Sequence, residues 1–133
     1  MKKIRLWLWQ WLPPFALMVT IFILSSQHSI QVSDNSTEDF LAHKLAHIFE
    51  YGLLTFLFFR GFYLSFGKSL TLKQQLFLAA LCSIIYAATD EVHQLFVPSR
   101  SGRLLDVFID GIGISIVVLY TKYQFHQVKK ILF

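Results

Sequence analysis

One cysteine, Cys82, stands in the 133-residue sequence, so no disulfide can close within it, and its apolar neighbours mark it as a packing residue. Charge is equally scarce: 15% of residues are Asp, Glu, Lys or Arg, against 55% hydrophobic. With a mean hydropathy of +0.54, that balance excludes a soluble domain of this size. No small-x-small cleavage site follows Leu24, where the chain reads Ser25-Ser26-Gln27-His28, which argues against a removed signal peptide. There is no basic stripe interleaved with stacking aromatics, so no nucleic-acid partner is expected. Internal repeats and low-complexity segments are missing too. The pair His43 and His47 has the i, i+4 spacing of metal ligands, but neither a cysteine cluster nor a His-Glu-x-x-His motif accompanies it. On that reading neither a metal nor a cofactor is expected.

Apolar residues dominate what remains. Four windows, 6–24, 45–63, 76–95 and 104–123, are each about 20 residues long, enough to cross a bilayer as helix. The expected fold class is therefore an all-α membrane protein, a four-transmembrane-helix bundle forming a single domain over residues 1–133. Pro13 and Pro14 should bend or begin the first helix. Ser36-Thr37-Glu38-Asp39 and Thr71-Leu72-Lys73-Gln74 read as caps of the second and third helices. Gly67 should end the second, Pro98 the third, and Gly102 precede the fourth.

Positive charge sets the expected orientation. Lys2, Lys3, Arg5, Arg60, Lys68, Lys73, Lys122, Lys129 and Lys130 fall on the termini and the middle loop, whereas only Lys44, Arg100 and Arg103 fall on the other two loops. The positive-inside rule then places both termini in the cytoplasm and the loops around 25–44 and 97–103 outside. Trp7, Trp9 and Trp11 agree, because amphipathic rings favour the membrane interface.

Acids interrupt the apolar runs at one depth. Counting back from the cytoplasmic ends places Asp90 and Glu91, then His47 and Glu50, then Asp106 and Asp110 in the outer half of the bilayer, with His43 near its surface. A charged side chain at mid-bilayer costs roughly 2.5–3.5 kcal/mol, so such residues normally face a partner or a wet pocket. His43, His47 and Glu50 stand at i, i+4 and i+7; Asp90 and Gln94 at i and i+4, with His93 beside them; Asp106, Asp110 and Gly113 at i, i+4 and i+7. Turned toward one another, the three stripes make a polar pocket open to the outside. Ser25, Ser26 and Gln27 would close it from the first helix, and Gly111, Gly113 and Ser115 would admit a close neighbour.

Blander readings attach to each part. Glu91 and Lys44 suit exposed charges at head-group level, Asp106 suits the first turn of a helix whose dipole favours an anion, and Ser-Ser-Gln suits a plain helix end. A structural network of interhelical bonds explains buried acids without any ligand. The excess of acids over cations argues for more than a network.

Taken together, Ser25-Ser26-Gln27, His43-Lys44-x-x-His47 with Tyr51 and Gly52, Asp90-Glu91-Val92-His93-Gln94-Leu95-Phe96-Val97-Pro98-Ser99-Arg100, and Asp106-x-x-x-Asp110-x-x-Gly113 resemble the VanZ-like membrane proteins. The resemblance implies a multipass protein of the bacterial cytoplasmic membrane, in some members linked to glycopeptide resistance of the teicoplanin type, with no settled reaction.

Two function classes follow. The pocket binds the anionic head group of an envelope lipid or cell-wall precursor at the outer leaflet. The ligand-binding set is then Ser26 and Gln27; His43, His47 and Glu50; Asp90, Glu91 and Gln94; and Asp106 and Asp110, with Arg100 and Arg103 clamping a phosphate. Alternatively, the pocket is an acid/base enzyme acting on a lipid-linked phosphate, with Asp90, Glu91 or His47 moving the proton. No nucleophile beside an evident base lifts the enzyme over the binder, and short spans without repeats leave little room for a transporter. The oligomeric state is open.

Overall fold

The computed structural model describes residues 2–27, 36–98 and 102–132. Among them are five helices and no strand: α1 (Lys2–Ser25), α2 (Ser36–Phe66), α3 (Leu72–Gln94), α4 (Leu104–Tyr123) and a short α5 (Phe125–Leu132). The four long helices run up and down. Gln10 of α1 reaches Leu64 of α2, Thr55 of α2 bonds Ser83 of α3, and His47 near the start of α2 meets Asp110 near the start of α4. The end of α1, the start of α2, the end of α3 and the start of α4 therefore share one end of the bundle.

α2 is the hub, packing against α1, α3 and α4. Its buried positions, Tyr51, Leu54, Thr55, Phe58 and Phe59, recur at the spacing of one helix face. α3 answers with Ala79, Ser83 and Ala87, all fully buried and four apart, small enough for close approach. Thr55 donates to Ser83 Oγ at 3.0 Å, and Ser83 in turn donates to the Ala79 carbonyl, so neither hydroxyl is left dry.

Three helices, Leu6–Ser25, Leu72–Gln94 and Leu104–Tyr123, are long and apolar enough to cross a membrane. Their outward residues, including Phe15, Val19, Phe77, Ile85, Phe108, Ile112 and Ile116, are exposed apolar groups of the kind lipid covers. The bilayer is their environment. α2, at 31 residues, is longer than any of these, yet its apolar run is diluted by His43, Lys44, His47, Glu50 and Arg60. Partners on three sides make that dilution tolerable.

Pro13 and Pro14 neither begin nor break α1, which runs helical through both. A proline nitrogen cannot bond the carbonyl four residues back, which frees the carbonyls of Trp9 and Gln10. The Arg60 guanidinium donates to the Trp9 carbonyl at 3.2 Å, so α2 supplies one missing donor. Trp11 Nε1 donates to Ser65 Oγ at 2.9 Å, and Ser65 donates to Gln10 Oε1 at the same distance, clasping the two helices.

The punctuation follows the sequence. Gly67 ends α2 with φ +42°, the left-handed conformation a glycine allows without cost, and a single 3-10 turn, Gly67–Ser69, follows. Thr71 and Gln74 form a reciprocal capping box, so α3 starts at Leu72, four residues ahead of the apolar window. α5 was not foreseen: Val128 and Leu132 bury one face of it, and Phe125 meets Tyr63 edge to face at 5.6 Å.

Candidate functional site

The acids of α3 and α4 lie where the four long helices converge. Asp90 accepts from Ser25 Oγ of α1 at 2.6 Å on one oxygen and from Gln94 Nε2 at 2.9 Å on the other. Both partners are neutral, and the carboxyl is buried. At the next residue, Glu91 Oε2 accepts the backbone N–H of Arg103 at 2.8 Å. Arg103 is the N-cap of α4, so Glu91 ties the end of α3 to the start of α4 and places an acid where the helix dipole favours one. Gly102 is packed so tightly that a Cβ there would strike the Glu91 carbonyl. Glu91 is thus buried, not a head-group-level charge.

α2 and α4 meet through two ion-pairing contacts one turn apart. Lys44 bonds Asp106, and His47 Nδ1 lies 3.0 Å from Asp110 Oδ1. The spacing makes both possible, since 44 and 47 share a face of α2 and 106 and 110 share a face of α4. Gly113 continues that face: a Cβ there would land on the Ile48 carbonyl, and one on Gly52 would come within 3.3 Å of the Gly113 carbonyl. The expected stripe of small residues on α4 reduces to this glycine. Gly111 has open space around it and Ser115 is exposed, because residues two apart on a helix point in nearly opposite directions.

A cleft of about 200 Å³ opens beside these contacts. Ser25, His43, His47, Glu50, Asp90 and Gln94 are its polar lining residues, and Ile21, Leu24, Ala42 and Ala46 its apolar ones. Other expected residues sit elsewhere. Ser26 is exposed and bonds His93 Nε2 at 2.9 Å, at the edge of α1 and α3. Gln27 is exposed at the end of α1, Arg103 is exposed at the start of α4, and Asp106 is occupied with Lys44. Arg100 lies outside the described residues.

Two residues gained importance that spacing did not reveal. Ser25, rather than Ser26, holds Asp90. Tyr51, one turn beyond His47, is fully buried with its ring 6.2 Å from the imidazole and its hydroxyl without a partner among the described residues. Tyr86 stacks obliquely on Tyr51 at 6.3 Å and donates to the Met18 carbonyl at 2.5 Å, bracing α1 against α3. A tyrosine one turn from a buried histidine was the available signal for Tyr51; nothing local marked Tyr86.

The chain matches the VanZ/LLP1 family model over residues 7–125. The chain belongs to the VanZ/LLP1 family. No curated protein and no solved structure matches it significantly. The match spans all the residues of α1, α2 and α3 that line the cleft, and α4 beside them.

Chemically, the cleft is rich in hydrogen-bond acceptors. Lys44 is taken by Asp106 and His47 by Asp110, while Asp90 is held by neutral groups. A purely pairwise network of ion pairs therefore accounts for α2 and α4 but not for Asp90 and Glu91.

Proposed function

We propose that this VanZ-type protein spans the bacterial cytoplasmic membrane with four helices, α2 included, keeps both termini in the cytoplasm, and holds an envelope-lipid or cell-wall-precursor head group in an outward-facing cleft. The observation that carries the reading is Asp90, a buried acid held by Ser25 and Gln94 in a cleft lined by both polar and apolar side chains. A cleft of mixed lining suits a ligand with a polar head and a hydrocarbon tail. Its volume, about 200 Å³, is below the ~300–1,000 Å³ of typical small-molecule sites, so it takes one part of a head group. Carboxylates and imidazoles accept bonds from sugar hydroxyls or amines. Arg103, exposed at the start of α4, is the described cation available to an anionic phosphate. Sequestering such a head group is also how the protein would contribute to tolerance of glycopeptides of the teicoplanin type.

One geometric feature favours the enzyme as a second reading. Asp110 engages Nδ1 of His47 and so orients the ring, leaving Nε2 as the nitrogen able to exchange a proton with a bound molecule.

Native mass spectrometry of protein extracted in mild detergent tests the proposal. Wild type is expected to retain a phosphate-bearing lipid, and Asp90→Asn together with Arg103→Ala to lose most of it while remaining folded. Wild type free of lipid, or all variants carrying the same bulk phospholipids, contradicts it.

A further inference from the structure

Five side-chain oxygens are buried without a hydrogen-bond partner among the described residues, and three of them, Tyr51 Oη, Glu91 Oε1 and Asp110 Oδ2, belong to the acid-lined end of the bundle. Tyr51 and Asp110 are fully buried, and Glu91 is 5% exposed. Carboxylate oxygens in that state are costly, because no protein donor replaces the hydration that burial removes. One ligand atom from each of His47, Glu91 and Asp110 lies within 4.8 Å of the other two. We infer that these three residues form a binding site for a divalent cation of the zinc type.

Charge, donor chemistry and geometry point the same way. Two carboxylates and a neutral imidazole carry two negative charges, which a dication offsets without a second protein cation. One nitrogen and two carboxylate oxygens are a donor set that Zn²⁺ accepts, and three protein ligands leave a position for water or an incoming oxygen. His47 Nδ1 and Asp110 Oδ1 are 3.0 Å apart as a hydrogen bond, a few tenths of an ångström inside the ~3.4 Å between tetrahedral ligands bound at about 2.0–2.2 Å, so the ion would replace the shared proton and open the pair slightly. The ligands come from α2, α3 and α4, so the ion joins three helices. Their supports are in place: the Arg103 N–H fixes Glu91, and the Tyr51 ring lies beside His47, with its hydroxyl available to orient a ligand carboxylate. The sequence pair His43 and His47 pointed to a different set; in the fold, His43 lies outside this cluster and the partners of His47 come from other helices. The site shares His47 with the cleft, while its two carboxylates, Glu91 and Asp110, are not part of the cleft lining.

The test uses the full chain in mild detergent, stripped with a chelator and dialysed against Zn²⁺, with metal content read by mass spectrometry. Co²⁺ titration followed by visible absorption serves as the spectroscopic probe. Wild type is expected to hold one Zn²⁺ per chain, to show ligand-field bands with Co²⁺, and to melt at a higher temperature with Zn²⁺ than without. Asp110→Asn and Glu91→Gln are each expected to weaken Zn²⁺ binding at least about tenfold and to abolish the thermal shift, whereas His93→Gln leaves both unchanged. If Asp110→Asn does not fold, Glu91→Gln carries the same reading, since it keeps an oxygen for the Arg103 N–H. Wild type without bound Zn²⁺, undiminished binding in the folded carboxylate variants, or loss of binding in His93→Gln would overturn the inference.

Discussion

Ser25 and Ser26 are adjacent in sequence, yet only one of them reaches the interior. A helix turns about 100° per residue, so Ser25 faces α3 and donates to buried Asp90, while Ser26 stays exposed at the bundle edge with His93. The stretch Ser-Ser-Gln was legible as a polar end to an apolar helix, but which serine faces inward depends on the rotation of α1, and that is set by packing along its whole length. Ser25→Ala should cost about 1 kcal/mol, within the ~0.6 average and ~1.7 maximum measured for interhelical bonds in membranes. Ser26→Ala should cost much less. Reversible unfolding in mixed micelles checks this, and equal losses for the two variants would count against the Ser25–Asp90 contact.

Elements were readable where a single signal decided them. α4 occupies the expected window, Gly67 closes α2, and the Thr71–Gln74 box starts α3. Close approach was harder to read, because it depends on two helices at once. Gly111, Gly113 and Ser115 are all small, but only Gly113 shares a face with Asp106 and Asp110 and so meets α2. The same search along α3 would have found Ala79, Ser83 and Ala87 at a strict spacing of four. α5 escaped notice because eight residues are too short for a span and its buried pair, Val128 and Leu132, is a minimal pattern. Gly113→Ala should destabilise the bundle by about 1–3 kcal/mol, since the obstacle is the α2 backbone and cannot rotate away. Gly111→Ala meets nothing and should be neutral or stabilising by up to ~1 kcal/mol through helix propensity. Thermal unfolding in detergent separates the two, and a similar loss for both would mean that α2 and α4 do not touch at Gly113.

At the scale of the molecule, common depth and shared faces were enough to bring His47, Asp90, Asp106 and Asp110 to one end of the bundle. They were not enough to pair them. Lys44 with Asp106 and His47 with Asp110 follow from the α2–α4 crossing, and the tie from Glu91 to the start of α4 follows from a turn tight enough to need Gly102. The 31-residue α2 reads poorly as a span because His43, Lys44, His47, Glu50 and Arg60 dilute its apolar run, and the proposed fourth crossing rests on the cover that α1, α3 and α4 give it. The head-group proposal requires the acid-lined end to face outward, as the distribution of lysine and arginine indicates. Single cysteines in a Cys82→Ala background measure this most directly. Thr37→Cys lies at the start of α2 on the cleft side, and Ser69→Cys lies in the turn before α3 on the opposite side. On intact cells Thr37→Cys should react with a membrane-impermeant maleimide and Ser69→Cys only after permeabilisation; the reverse pattern would turn the cleft toward the cytoplasm and contradict the account.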